Sequence, residues 1–128
     1  MGKKGLDHSW YEGLPENCPP ENAISPEGID LYRLVKTVPP TNEDFEINKR
    51  CRSNRNFRLS ECITKSISLS TSIDRLRALK KLPLHRDEQI IKVLLLRKDG
   101  LIKQTFKDPS HHSWWRTKDF YLNQFEMI

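Results

Sequence analysis

The clearest pattern along the chain is an alternation of apolar and polar residues between Ile63 and Ser72. In an extended strand, successive side chains point to opposite faces, so one face of this segment would be mostly apolar. The other face would carry only hydroxyl groups, from Thr64, Ser66, Ser68, Ser70 and Ser72. The pattern predicts a strand with one face in the core, and the small hydroxyls on the other face leave room for another group to approach.

Four further segments have the alternation or the composition of strands: residues 30–38, 90–96, 101–106 and 120–128. The first ends at Pro39 and Pro40, because proline cannot donate a hydrogen bond to a sheet. The second is a nearly continuous apolar run, which is typical of a strand covered on both faces. A turn at residues 98–100 joins the second to the third, and predicts that these two strands pair in an antiparallel hairpin.

Two segments have helix signals. Thr41 can cap a short helix with acids in its first turn, extending to about Lys49. Thr71 or Ser72 can cap a second helix, which Pro83 would stop. Its apolar stripe consists of Ile73, Leu76, Leu79 and Leu82. These elements together predict an α+β, strand-dominated fold with two or three short helices.

The first 28 residues differ in composition from the remainder. They contain four prolines and four glycines, too many for a long regular element. They also contain the large apolar residues Trp10, Tyr11, Leu14 and Ile24, which a free tail would not need. We therefore expect residues 1–28 to form an irregular arm packed on a single α+β domain of residues 29–128.

The length of 128 residues fits one domain, and no apolar run approaches the roughly 20 residues that span a bilayer. The N-terminus lacks the apolar segment of a secretory signal. The net charge of +5 suits a nucleic acid, a phosphorylated ligand or an acidic protein, and equally a well-solvated basic surface.

Cysteine and histidine usage predicts neither disulfides nor a metal site. Cys18, Cys51 and Cys62 form an odd set without a close pair, which favours a reducing environment and a cytoplasmic location. A structural zinc site needs four ligands, usually in two close pairs. The only close pair here is His111-His112, whose side chains diverge on a strand.

Basic and aromatic residues allow a nucleic-acid-binding hypothesis. The cations are concentrated in residues 49–58 and 75–81, where they could contact phosphates. The aromatic residues Trp114, Trp115, Phe120 and Tyr121 could stack on bases or fill the core. Because Trp114 and Trp115 are adjacent, their rings point to opposite sides of an extended segment and cannot enter the same core face.

Three short motifs occur in a suggestive order. Tyr32-Arg33 lies on a predicted strand, Ser70-Thr71-Ser72 joins a strand to a helix, and Gln124-Phe125-Glu126 lies two residues before the last residue of the sequence. This order resembles the arginine, Ser-Thr-Ser and Gln/Glu-x-Glu pattern of mono-ADP-ribosyltransferases. The resemblance implies two small packed β-sheets with a cleft that holds NAD.

The resemblance also implies a role for each matched residue. Arg33 would contact a phosphate or ribose of NAD through its bidentate guanidinium. Ser70 would fix the nicotinamide ribose, and Thr71 and Ser72 would support the cleft wall. Glu126 would stabilise the oxocarbenium-like sugar as nicotinamide leaves, and Gln124 would select the acceptor.

Trp114 lies outside this pattern, and we expect it to stack on nicotinamide, to form part of a lid, or to belong to the core. The segments at residues 10–15 and 113–115 also resemble small uncharacterised bacterial proteins, a likeness that implies no function. Two hypotheses follow. The first is an ADP-ribosyltransferase-like domain that binds NAD or a related nucleotide, with or without turnover. The alternative is a non-catalytic cytosolic module that contacts a protein or nucleic acid through basic and aromatic surfaces.

Overall fold

The computed structural model describes residues 8–47 and 61–128, which form one six-stranded antiparallel sheet. Its strands are β1 (Leu31–Val35), β2 (Ile67–Ser70), β3 (Gln89–Val93), β4 (Gly100–Gln104), β5 (His111–Arg116) and β6 (Phe125–Met127). The spatial order is β4-β5-β2-β1-β3-β6. The prediction of a mostly-sheet protein is confirmed. The two packed sheets are not confirmed, since the strands of the described residues all belong to the one sheet.

Helical structure in the described residues is short. The α-helices are α1 (Glu61–Thr64) and α2 (Ile73–Lys80), and there are 3-10 turns at Asn42–Phe45, Pro83–His85 and Arg97–Asp99. Ser72 caps α2, because its Oγ accepts a hydrogen bond from the backbone N–H of Arg75. The helix α2 ends at Lys80, three residues before Pro83, where the sequence predicts its end. None of the helices in residues 8–47 and 61–128 is long and apolar enough to cross a membrane.

Strand β2 is shorter than the alternation predicts, because its first residues are helical. The backbone N–H of Lys65 donates to the Glu61 carbonyl, and the Thr64 hydroxyl donates to the same carbonyl. The Ser66 hydroxyl and backbone N–H both donate to the carbonyl of Ile63. Ser and Thr side chains compete for backbone groups in this way, which turns the chain before it enters the sheet.

The predicted hairpin is wrong. Strand β4 pairs with β5 at one edge of the sheet, whereas β3 lies between β1 and β6. Both edges of β3 are therefore occupied by other strands. Strand β5, with the sequence HHSWWR, has no clear alternation and was not predicted as a strand.

One face of the sheet packs against the main core. The core residues are Leu31, Val35, Phe45, Ile47, Ile67, Leu69, Ile91, Val93, Leu95, Ile102, Trp114 and Phe120. Trp114, Phe45 and Phe120 contact one another edge to face, a favoured arrangement of aromatic rings. Trp115 projects from the other face of β5, is also 0% exposed, and donates its Nε1–H to the carbonyl of Cys62.

The N-terminal arm is joined to the rest of the fold by two isolated bridges and a disulfide. Trp10 forms an isolated bridge with Thr117, and Ile24 forms another with Ile102. Between them, Cys18 is joined to Cys62 by a disulfide, with 5.5 Å between the two Cα atoms. The expectation of unpaired cysteines is thus wrong for these two. The two cysteines are 44 residues apart in the sequence, and only the fold brings them together. Cys51, the basic segment of residues 49–58 and the end of the helix predicted to reach Lys49 lie outside the described residues.

Candidate functional site

Arg33 lies on the core-facing side of β1. Its Nε donates to the carbonyl of Asp44 at 2.7 Å, and its Nη1 donates to the carbonyl of Ser68 at 2.6 Å. The guanidinium carbon is 5.8 Å from the centre of the Phe45 ring. Arg33 therefore links β1 to β2 and to the turn at Asn42–Phe45. These are structural contacts that hold the guanidinium in place.

The three hydroxyl residues predicted to line a cleft form the junction between β2 and α2. Ser70 Oγ accepts a hydrogen bond from the backbone N–H of Ser72 at 3.0 Å and donates to its carbonyl at 3.2 Å. The Thr71 backbone N–H donates to the carbonyl of Ser110, and Ser72 caps the helix. Ser70 is buried, and Thr71 is exposed. The motif shapes a tight strand-to-helix connection, as Ser and Thr commonly do.

Gln124 and Trp114 occupy structural positions. The Gln124 amide donates to the carbonyl of Leu94 and to Asp99 Oδ2, both at 2.8 Å, and its oxygen accepts from Lys98 Nζ at 2.7 Å. Trp114 is 0% exposed and donates its Nε1–H to the carbonyl of Asp99 at 2.9 Å. Ring stacking on a bound ligand would require Trp114 to leave the core.

Glu126 lies on β6, exposed at the edge of the sheet. It is paired with Lys92 on β3, Lys92 is paired with Tyr32 on β1, and Tyr32 is paired with Ser70 on β2. Directly paired residues share a face, so these four side chains form a row on one side of the sheet. Three interstrand steps separate Glu126 from Ser70, a distance of roughly 14 Å. Arg33 follows Tyr32 in β1 and so points to the opposite face. The fold brings Ser70 and Glu126 to one face and Arg33 to the other.

A hydroxyl–imidazole cluster lies where the polar face of β2 meets β5, and consists of Ser68, Thr105, His111 and Ser113. His111 Nε2 is 3.0 Å from Ser68 Oγ, and its Nδ1 is 2.9 Å from Thr105 Oγ1. Thr105 Oγ1 is in turn 2.9 Å from Ser113 Oγ, and both of these residues are buried. The group on Nδ1 is a hydroxyl, whereas a carboxylate orients the histidine of serine hydrolases. This arrangement favours a polar network that joins β2 to β5 over a catalytic triad.

The sequence contains a local signal for this cluster. Ser68 and Ser70 are two apart, as are His111 and Ser113, so each pair occupies one face of its strand. If β5 is a strand paired with β2, the imidazole of His111 lies on the same sheet face as the hydroxyls of Ser68 and Ser70. No group of His, Cys, Asp or Glu within residues 8–47 and 61–128 is arranged to hold a metal ion.

A second feature is the surface formed by α2 and the turn that follows it. Its members are Arg77, Lys80, Lys81, Leu82 and Leu84, hereafter the α2 surface. Leu84 is 81% exposed and Leu82 is 50% exposed, next to two consecutive lysines. The cations alone are typical of a solvated helix face, but the two leucines gain little from burial within this chain.

Searches of protein-family models, curated proteins and solved structures found no match for the chain.

Proposed function

We propose that the protein is a non-catalytic binding module that contacts an acidic protein partner through the α2 surface. The observation that carries the proposal is the exposure of Leu82 and Leu84 beside Lys80 and Lys81. Such a surface suits a segment that combines apolar side chains with carboxylates. The leucines would bury apolar area in the interface, and the cations would orient the partner and raise the association rate.

The aromatic residues support a protein partner over a nucleic acid. Base stacking needs exposed rings. Of the four aromatic residues that suggested such binding, Trp114, Trp115 and Phe120 are buried, and Tyr121 alone is exposed. Three residues of the expected catalytic site each make structural hydrogen bonds at different places in the fold: Arg33, Gln124 and Trp114. This separation supports a binding function over catalysis.

Photo-crosslinking from position 84 in cells tests this proposal. We expect a crosslinked protein whose contact segment is acidic, and we expect the Lys80→Glu/Lys81→Glu variant to lose it. The matched control is Lys107→Glu/Lys118→Glu, which reverses two exposed cations elsewhere. A second pair compares Leu82→Ser with Leu96→Ser, because the two leucines are 50% and 51% exposed and position 84 carries the crosslinker. Only Leu82→Ser should weaken the crosslink. Crosslinks that survive reversal at Lys80 and Lys81, or their absence from the wild type, would contradict the proposal.

A second candidate is an ADP-ribosyltransferase-like domain that binds NAD or a related nucleotide. It is favoured by the common row of Ser70, Tyr32, Lys92 and Glu126 on one face of the sheet. In this proposal Ser70 would contact the ribose and Glu126 would stabilise the cationic sugar, in a cleft between two small packed sheets. The contribution of Arg33 would require it to leave its two carbonyl partners.

NAD glycohydrolysis by the wild type and by Glu126→Gln tests this candidate. If it is correct, the variant loses far more turnover than NAD affinity, because the lost interaction belongs to the transition state. Millimolar NAD should also raise the melting temperature by mass action. The absence of both turnover and a thermal shift would leave the binding module as the sole candidate.

The cytoplasmic location stays a prediction. Disulfides persist in oxidising compartments and are rare in the cytosol, so the Cys18–Cys62 bond favours an oxidising one. Alkylation of thiols in intact cells before lysis distinguishes the two, since a cytosolic protein would be alkylated at both cysteines.

A further inference from the structure

Arg116, the last residue of β5, has an unusual environment for a cation. The residue is only 5% exposed, and its guanidinium carbon lies 3.7 Å from the centre of the Tyr11 ring and 5.8 Å from that of Phe45. Nη1 donates to Asn42 Oδ1 at 3.1 Å. Nε is fully buried and has no hydrogen-bond acceptor.

Among the residues that the structure describes, this guanidinium has no ion-pair partner. Burial lowers the pKa of Arg116, and the charges of Tyr11 and Glu12, together with a side-chain interaction with Tyr11, offset only part of that effect. An arginine nevertheless stays protonated in proteins. The guanidinium is therefore a buried cation whose desolvation is only partly compensated by hydrogen bonds. An oxyanion would supply both the acceptor that Nε lacks and the negative charge that the guanidinium lacks.

The guanidinium is buried beneath two side chains that are themselves exposed. Tyr11 is 42% exposed, and Asn42 is exposed in the turn above. The backbone N–H of Tyr11 donates to the carbonyl of Arg116 at 2.9 Å. A turn of the Tyr11 ring about its side-chain bonds would leave this backbone hydrogen bond in place.

We propose that Arg116 is a binding site for an oxyanion, a carboxylate or a phosphate group, which reaches Nε when the ring of Tyr11 turns outward. The planar guanidinium offers Nε and its neighbouring terminal nitrogen as a two-donor edge that matches two oxygens of either group. The site depends neither on the α2 surface nor on NAD.

The resonance of the Arg116 Nε–H group provides a test in the folded wild-type protein. The protein is titrated with inorganic phosphate, with acetate and with chloride at matched ionic strength, and the Arg116 Nε–H signal is followed by ¹H–¹⁵N NMR. We expect a saturable shift with phosphate or acetate, and the stronger of the two identifies the phosphate or carboxylate class. An unsaturable response, or one that chloride reproduces, would overturn the proposal.

Variants supply a second readout through the melting temperature. Phosphate or acetate should stabilise the wild type by mass action, and Arg116→Gln should weaken that binding by roughly tenfold or more, because hydrogen bonds to a charged group are lost. Arg97→Gln is the control, since Arg97 is an exposed arginine. If Arg116→Gln does not fold, Tyr11→Ala replaces it. We expect this change to tighten anion binding several-fold because no ring has to move. Affinity equal to or weaker than that of the wild type would refute the gating role of Tyr11.

Discussion

The disulfide between Cys18 and Cys62 gives a prediction whose magnitude follows from the fold. The bond closes a loop with a sequence separation of 44 residues and fastens the arm to α1. Loop-closure entropy assigns about 4 kcal/mol of stabilisation to a covalent loop of this length, through restriction of the unfolded chain. For a domain of this size the loss corresponds to a fall in melting temperature of about 15 °C.

Equilibrium urea unfolding of the oxidised wild type, Cys18→Ser and Cys62→Ser measures this loss. Both variants should have the same reduced free energy of unfolding, and reduction of the wild type should reproduce it. Cys51→Ser is the matched control, because it removes a cysteine and leaves the bond in place. Thiol titration of the denatured, unreduced wild type should find one thiol, and three after reduction.

Two results would refute this reasoning. Three reactive thiols in the denatured, unreduced protein would mean that the bond is absent. A Cys18→Ser variant as stable as Cys51→Ser, in a protein with one free thiol, would mean that the closed loop does not restrict the unfolded chain as the entropy model requires.

Three further predictions concern residues whose contacts the fold defines. Burial raises the pKa of Asp44, but hydrogen bonds from the Thr37 side chain and nearby backbone N–H groups outweigh it and lower the pKa overall. The stability that Asp44 contributes is therefore present above about pH 4 and is lost as pH falls through the folded pKa. The urea midpoint should fall less between pH 7 and pH 3 in Asp44→Asn than in the wild type, because the variant has no carboxyl group to protonate. Gly100→Ala should destabilise the protein by more than about 2 kcal/mol, because φ is 126° and the added Cβ would clash with the carbonyl oxygen of Trp115, whereas Gly13→Ala has open space and should have little effect by thermal denaturation. Arg33→Gln should lower the melting temperature without any nucleotide present, because two hydrogen bonds from a charged group, each contributing about 1.5–3 kcal/mol, are lost. An unchanged melting temperature would contradict this structural role of Arg33.

Local signals in the sequence were sufficient for several elements. The alternation around β1 and β2, the prolines after β1 and the Ser72 cap each depend on residues a few positions apart. The mostly-sheet character follows from these signals because a period of two specifies which face of a segment is buried. The start of β2 departs from the alternation for a local reason as well, since hydroxyl hydrogen bonds to the backbone make these residues helical.

The candidate sites needed the tertiary structure. Ser70 and Glu126 lie on strands, as the sequence predicts. That Arg33 points to the opposite face from Ser70 follows only from the pairing of Tyr32 with Ser70. The exposure of Leu84 and the burial of Arg116 also have no local signature. Each depends on which distant segment covers the residue.

By itself the sequence determined which segments could extend, where a helix could begin, and that the chain carries a net positive charge. Only the tertiary structure decided that β5 lies between β4 and β2, that Cys18 meets Cys62, and that Tyr11 covers Arg116. The physical reason is that local periodicity and capping involve hydrogen bonds and faces within a few residues. Strand order and long-range contacts instead minimise the exposed apolar area and the unpaired backbone groups of the whole domain, against the entropy lost in closing long loops.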